Sequence, residues 1–248
     1  MQLSFSKLTT FEQCPARFAF AYIRQIPKKK SSALFLGEVV HSTLEQVFQD
    51  QLPGSMPLFS QQHLQQLFRE TWKQKRNLYR SRDELEMPLE EEISAGKRGL
   101  QMLEHFSQSP FFFAPREIES FFAVSMDEQT VFVGRVDRVD EQQGIARVVD
   151  YKTGKYSPSY VNHFQLQVYA WLLQRNGIQV QQAAYYFLEE NQVSSIEVDS
   201  FLLEQTAEEL EERVQNMVRF LETQPLLPTP NRLCGWCEYR DICPAHAG

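Results

Sequence analysis

The sequence predicts an α/β protein in which a mixed central sheet is flanked by helices, with a helical annex before the sheet and a cysteine-rich cap after it. Three observations carry this expectation. Ile118–Val124, Val131–Val139 and Ile145–Lys152 are rich in Val, Ile and Phe and are separated by short polar turns, the pattern of an antiparallel meander. Long stretches with apolar residues at helical spacing come before them. A helix, another strand and a closing helix follow. A chain of 248 residues can bury a large core with a smaller annex. The division expected is 1–110 for the helical N-terminal part, 111–225 for the core and 226–248 for the cysteine segment.

In chain order, Leu8, Phe11, Phe18 and Tyr22 recur at helical spacing, with Thr9 or Thr10 as a possible N-cap. Cys14-Pro15 interrupts this pattern, and proline suits a first turn. The first helix is therefore expected from about Cys14 to Arg24, ended by Pro27, with Lys28 to Lys30 as a basic linker. A second helix should start near Phe35 and bury Val40, Leu44, Val47 and Phe48. Residues 60–82 and 88–108 read as two more, the later one burying Ile93, Leu100, Leu103 and Phe106. After the three strands come a helix over Asn162–Gln174, a C′ glycine at Gly177 and a strand over Val180–Leu188. A short strand over Ser195–Val198 and a long helix over Phe201–Leu221 complete the pattern.

Composition narrows the function classes. A hydrophobic fraction of 42% and a charged fraction of 23% are those of an ordinary globular protein. No apolar run approaches the roughly 18 residues of a membrane helix, and MQLSFSKLTTFEQC lacks a basic start followed by an apolar stretch. A cytoplasmic protein without a membrane is expected. In a reducing compartment its four cysteines are metal ligands or buried thiols rather than two disulfides. A net charge of −7 argues mildly against nucleic acid. Charge distribution can override it: Lys73, Lys75, Arg76 and Arg80 fall in a basic run that could face DNA, the plainer reading being a solvated helix face.

The segment 131–155, VFVGRVDRVDEQQGIARVVDYKTGK, concentrates the chemistry. Asp150 and Lys152 are two apart on a strand and share a face. With Asp137 they form a set that can hold a hard cation and place a water beside it, the minimum for hydrolysing a phosphate ester. An ion pair of Asp137 with Arg135 or Arg138, and a surface role for Lys152, are the plain alternatives. One geometric difficulty stands out. A turn centred near Gln142 sets Asp137 opposite residue 147 and leaves Asp150 on the order of 10 Å away. A bend or bulge, with Gly134 as candidate, is then required.

The order Gly134-x-x-Asp137, then Asp150-Tyr151-Lys152, resembles the PD-(D/E)xK nuclease superfamily. Gly37-x-x-x-His41 upstream and Gln165-x-x-x-Tyr169 downstream are similar to its RecB-type branch. The resemblance implies a restriction-endonuclease-like core. It also implies a divalent cation, Mg2+ or Mn2+, held by His41, Asp137, Asp150 and the carbonyl of Tyr151. Lys152 would act in catalysis, and Gln165 and Tyr169 would line the groove. The implied activity is metal-dependent hydrolysis of DNA by an exonuclease acting on single strands or ends. A non-catalytic nucleic-acid-binding module on the same fold is the alternative, and a small-molecule phosphodiesterase a third reading.

Cys234-Gly235-Trp236-Cys237 followed by Cys243-Pro244, with Cys14 remote, places three ligands together and one far away. Iron-sulfur sites are commonly built this way, whereas structural zinc sites more often pair two C-x-x-C knuckles. Nucleases of the RecB type with iron-sulfur cysteines share this layout, which implies a [4Fe-4S] cluster on Cys14, Cys234, Cys237 and Cys243, with Zn2+ as the alternative. No G-x-x-x-x-G-K-[ST] loop is present. A helicase, or CRISPR-adaptation or recombination proteins, would therefore be separate partners.

Overall fold

Among the described residues, six strands form one mixed sheet with helices on both faces. The computed structural model describes residues 1–28, 30–49, 51–56, 60–85, 87–158 and 161–246; Lys29 of the expected basic linker lies outside them. β1 (Gln2–Ser4), not foreseen from the sequence, leads into α1 (Phe5–Gln13), α2 (Pro15–Phe18) and a π-helical turn over Ala19–Ile23. Then come α3 (Ser32–Phe48), α4 (Gln61–Ser81), α5 (Leu89–Ser107), β2 (Glu117–Ser125), β3 (Val131–Gln142) and β4 (Ile145–Lys152). The chain continues through α6 (His163–Arg175), β5 (Val180–Phe187), β6 (Gln192–Glu197) and α7 (Ser200–Thr223), then two 3-10 turns, Arg232–Trp236, which holds Cys234 and is followed by Cys237, and Arg240–Ile242, followed by Cys243.

Two helices depart from the sequence expectation. The first begins at Phe5, not Cys14: the hydroxyl of Ser4 caps it by accepting from the N–H of Lys7, while Thr9 and Thr10 bond back to carbonyls of the preceding turn. Cys14 is instead an extended break, at φ −166°. In α5 the buried face is Ala95, Gly99, Met102, Leu103 and Phe106, and Ile93 stands exposed. Gly99 fixes that phase, since a Cβ there would come within 2.3 Å of the Phe68 ring of α4.

β3 is the hub of the sheet. β2 pairs antiparallel along nearly its whole length, from Ser125 opposite Val131 to Glu117 opposite Val139. Its other edge is shared: β1 runs parallel to residues 131–133, and β4 runs antiparallel to residues 138–142. Between these partners, Gly134 to Asp137 have no ladder neighbour on that side.

The β3–β4 turn consists of Gln143 and Gly144, both left-handed at φ 54° and 79°, the two-residue geometry that matches strand twist. Gln142 therefore faces Ile145 and Arg138 faces Val149. One step further in this register Asp137 stands across from Asp150. The expected turn centre at Gln142 was thus too early, the turn lying between Gln143 and Gly144 and moving the residue opposite Asp137 from 147 to 150, and no bulge at Gly134 is needed: β2 keeps register through it.

Side chains alternate across β4 and β5. Val149, Tyr151 and Tyr186 join the cluster under α3, α4 and α5, while Val148, Ala183 and Tyr185 pack with Leu166, Ala170 and Leu173 of α6. Arg138 is fully buried on the first side. It bonds Asp140 at 2.6 Å, the Tyr151 hydroxyl at 3.2 Å and the Phe113 carbonyl at 2.9 Å, so its charge is paired rather than stranded. Among the described residues no helix is long and apolar enough to cross a membrane.

Candidate active site

The opening between β3 and β4 gathers side chains from five elements. Two glycines allow the approach. A Cβ on Gly37 would lie 3.1 Å from Thr153 Oγ1, so its absence lets α3 sit against the end of β4. A Cβ on Gly134 would lie 2.6 Å from Leu172 and 3.7 Å from the Tyr169 ring, so its absence admits α6. One turn past Gly37, α3 points His41 into the opening.

His41 Nδ1 is 3.1 Å from Glu119 Oε1 and 3.5 Å from Asp137 Oδ2, and Nε2 is 3.2 Å from the Tyr151 carbonyl oxygen. Asp137 Oδ2 also accepts the N–H of Tyr151 at 2.8 Å. Burial works against a charge on His41, but the carboxylates of Asp137 and Glu119 outweigh it and lift its pKa well above 6.5. An imidazolium then donates from both nitrogens.

Asp150 is 4% exposed. Lys152 Nζ lies 2.7 Å from its Oδ2, and the Gln165 amide nitrogen 3.3 Å from its Oδ1. Burial first and the nearby Asp137 charge second push the Asp150 carboxyl up to about 6, with Lys152 pulling the other way. Gln165 also donates to the Tyr169 hydroxyl at 3.1 Å. Neither arginine proposed as an ion-pair partner reaches Asp137: Arg138 pairs with Asp140, and Arg135 with Glu45 and Glu119.

Glu119 was not singled out in the sequence. It lies on β2 between Ile118, which pairs with Arg138, and Ser120, which pairs with Val136, and so at the level of Asp137; it is 10% exposed at the side chain and adopts φ 48°. A left-handed conformation at a non-glycine strand residue costs about 1–3 kcal/mol and clusters at functional sites. The one available signal was positional, an acid in the strand paired with Gly134-x-x-Asp137. His41, Glu119 and Asp137 offer ligand atoms that all lie within 4.8 Å of one another. One imidazole and two carboxylates suit a small divalent cation.

The four basic residues read as DNA-facing divide. Lys73 is exposed. Lys75 bonds Glu38 at 2.8 Å and lines an open cleft with His41, Glu119, Arg135 and Thr153. Arg76 and Arg80 both reach Glu92, at 2.7 and 2.8 Å, and tie α4 to α5.

At the far end Cys14, Cys234, Cys237 and Cys243 line one cavity together with Arg17 and Phe20. The N–H of Thr229 points to Cys14 Sγ at 3.4 Å and that of Asn231 to Cys234 Sγ at 3.3 Å. No three of these sulfurs lie within 4.8 Å of one another among the described residues.

A trio that could hold a metal ion, His41, Glu119 and Asp137, thus lies where two strands of a mixed sheet part, with the Asp150–Lys152 pair across the opening. The chain belongs to the PD-(D/E)XK nuclease superfamily, whose family model matches residues 2–244. A crystal structure of a protein from Eubacterium rectale, provisionally described as an exonuclease, is similar over 96% of this chain and 87% of that one, with 14% identity and a TM-score of 0.59; this likeness is one of fold. The structure of SSO0001 aligns over 100% and 88% of the two chains at 15% identity and a TM-score of 0.44. No curated protein matches the chain.

Proposed function

We propose that the chain is a metal-dependent deoxyribonuclease of the RecB-type branch that hydrolyses phosphodiester bonds in single-stranded DNA or at DNA ends. The observation that carries this reading is the hairpin register that sets Asp137 across from Asp150, with Lys152 2.7 Å from the latter. Gly37 to His41 and Gln165 to Tyr169, converging on the same opening, support the branch.

His41, Asp137, Asp150 and the Tyr151 carbonyl, with Glu119 beside them, would hold Mg2+ or Mn2+. Such a cation supplies charge neutralisation on the phosphate and activation of a water. Lys152 orients that water and stabilises negative charge developing on the phosphate. Gln165 and Tyr169 line the groove and position the strand. Lys73 and Lys75 contact the DNA backbone, the latter from the wall of the open cleft. The breadth of that cleft favours a polymer over a small phosphodiester.

The four cysteines hold a [4Fe-4S] cluster in this reading. The cluster would staple the break after α1 to the C-terminal turns.

The test is digestion of end-labelled single-stranded DNA by anaerobically purified protein with Mn2+ or Mg2+, beside Lys152→Ala, with iron, zinc and the visible spectrum read on the same sample. Metal-dependent cleavage lost in Lys152→Ala supports the reading. A folded protein that binds DNA without cutting it overturns it in favour of a binding module.

A further inference from the structure

Tyr185 belongs to none of the motifs, yet it touches two of the groups assigned to the reaction. Parallel pairing of β4 with β5 sets Tyr185 beside Asp150, so both side chains leave the sheet on the same face. The residue is 1% exposed. Its hydroxyl lies 2.7 Å from the Asn162 carbonyl and 3.0 Å from Gln165 Oε1. Both partners only accept, so the phenol proton is the single donor among the three.

That one proton is shared between the Asn162 carbonyl, the nearer acceptor, and Gln165 Oε1, and its share on Oε1 favours the same amide orientation that the Asp150 carboxylate selects. With Oε1 turned to the phenol, the amide nitrogen meets Asp150 Oδ1 at 3.3 Å and the Tyr169 hydroxyl at 3.1 Å. The opposite orientation would set the amide oxygen against the Asp150 carboxylate, two acceptors face to face. The ring has a second effect: Lys152 Nζ lies 4.7 Å from its centroid, where the electron-rich face attracts an ammonium. Tyr185 thus restrains the lysine on the Asp150 side of the opening. Its neighbour Tyr186 provides a contrast. It leaves the opposite face, bonds Asn191 at 2.7 Å and packs among Phe106, Phe111 and Tyr151.

We propose that Tyr185 is a positioning residue for phosphodiester hydrolysis: its hydroxyl fixes the Gln165 amide toward Asp150, and its ring face holds the Lys152 ammonium beside that carboxylate. The inference rests on the nuclease reading and adds a residue to it.

Steady-state cleavage of a labelled single-stranded oligonucleotide at saturating Mn2+ tests it, with thermal melting run on every variant. Tyr185→Phe is expected to lower kcat about five- to tenfold with KM within about twofold, while Tyr186→Phe, which loses a buried hydrogen bond of the same kind, keeps the wild-type kcat. In a Gln165→Ala background Tyr185→Phe should have no further effect, because the two act as a unit. Replacing Tyr185 by 4-aminophenylalanine, which restores an N–H donor, should recover the rate. A wild-type kcat in Tyr185→Phe overturns the inference, as does a full loss that persists beside Gln165→Ala. Absence of metal-dependent cleavage by the wild type, in contrast, overturns the nuclease reading and this inference with it.

Discussion

The backbone N–H of Tyr151 donates to Asp137 Oδ2 at 2.8 Å, across the gap where β3 and β4 have stopped exchanging ladder bonds. A side chain takes over the pairing that the backbone gives up. The same peptide segment turns its carbonyl toward His41 Nε2 at 3.2 Å. Asp137, Tyr151 and His41 are therefore set by one another through direct hydrogen bonds and ion pairing.

Lys152→Ala and Asp137→Ala should each reduce kcat by about a hundredfold or more, with the melting temperature of Lys152→Ala near that of the wild type and that of Asp137→Ala lowered by several degrees, because the Tyr151 N–H and His41 lose their partner. Single-turnover cleavage of labelled DNA gives the rate. Retention of a tenth of the activity in either variant would count against the assigned roles.

Glu119→Gln keeps the shape of the side chain and removes one charge from the trio with His41 and Asp137. Mn2+ affinity, followed by calorimetry, is expected to weaken about 10- to 100-fold. An unchanged dissociation constant would place Glu119 outside the metal site and leave it as the partner of Arg135.

Metal binding should tighten as pH rises. Asp150, raised to about 6, and His41, raised well above 6.5, must both shed protons to act as ligands. Protons therefore compete with the cation over this range. The Mn2+ dissociation constant at pH 5.5 should exceed that at pH 7.5 by about tenfold or more; a flat profile would argue against both ligands.

Glu38 makes a separate stability prediction. Burial opposes its charge, but hydrogen bonds from Lys30, Lys75 and Tyr79 prevail and hold its pKa down to about 2, below the ordinary 4.5. The unfolded chain takes up the proton first. This contribution is thus complete above about pH 4.5 and drains away as pH falls toward 2. Glu38→Gln should flatten the acid side of the urea-midpoint profile between those values, and a profile parallel to the wild type would contradict the network.

Removing one cysteine should act on the fold before it acts on the reaction. Cys243→Ala is expected to lose visible colour and iron and to melt several degrees lower, since a bound cluster contributes to folding free energy. Identical colour and melting would overturn the cluster assignment.

Much of this was legible from residue pattern. The three strands of the meander, α3 to α7 and Gly177 at the end of α6, left-handed at φ 81°, followed from periodicity and turn chemistry. Other features were hidden for identifiable reasons. β1 has three residues and pairs with a distant strand, too little for an alternation signal. Ile93 looked like core because periodicity reports a face but not its phase, and Gly99 against Phe68 sets that phase. Glu119 sits in a strand without a motif, and its meaning comes from lying opposite Asp137. The hairpin register was misplaced by three residues, Asp137 being expected opposite 147 rather than Asp150, because Gln143 is an unusual occupant of a left-handed turn position.

That two-residue turn, Gln143-Gly144, touches none of the groups assigned to the chemistry, yet it works as a ruler for them. Counting outward from it sets which β3 residue stands across from Asp150. A single residue inserted there would slide β4 past β3 by one place and exchange the faces of one strand against the other. The chemistry of this protein therefore depends on a length as strictly as on any side chain, and variation that changes the size of this loop has far less freedom than its exposed position suggests.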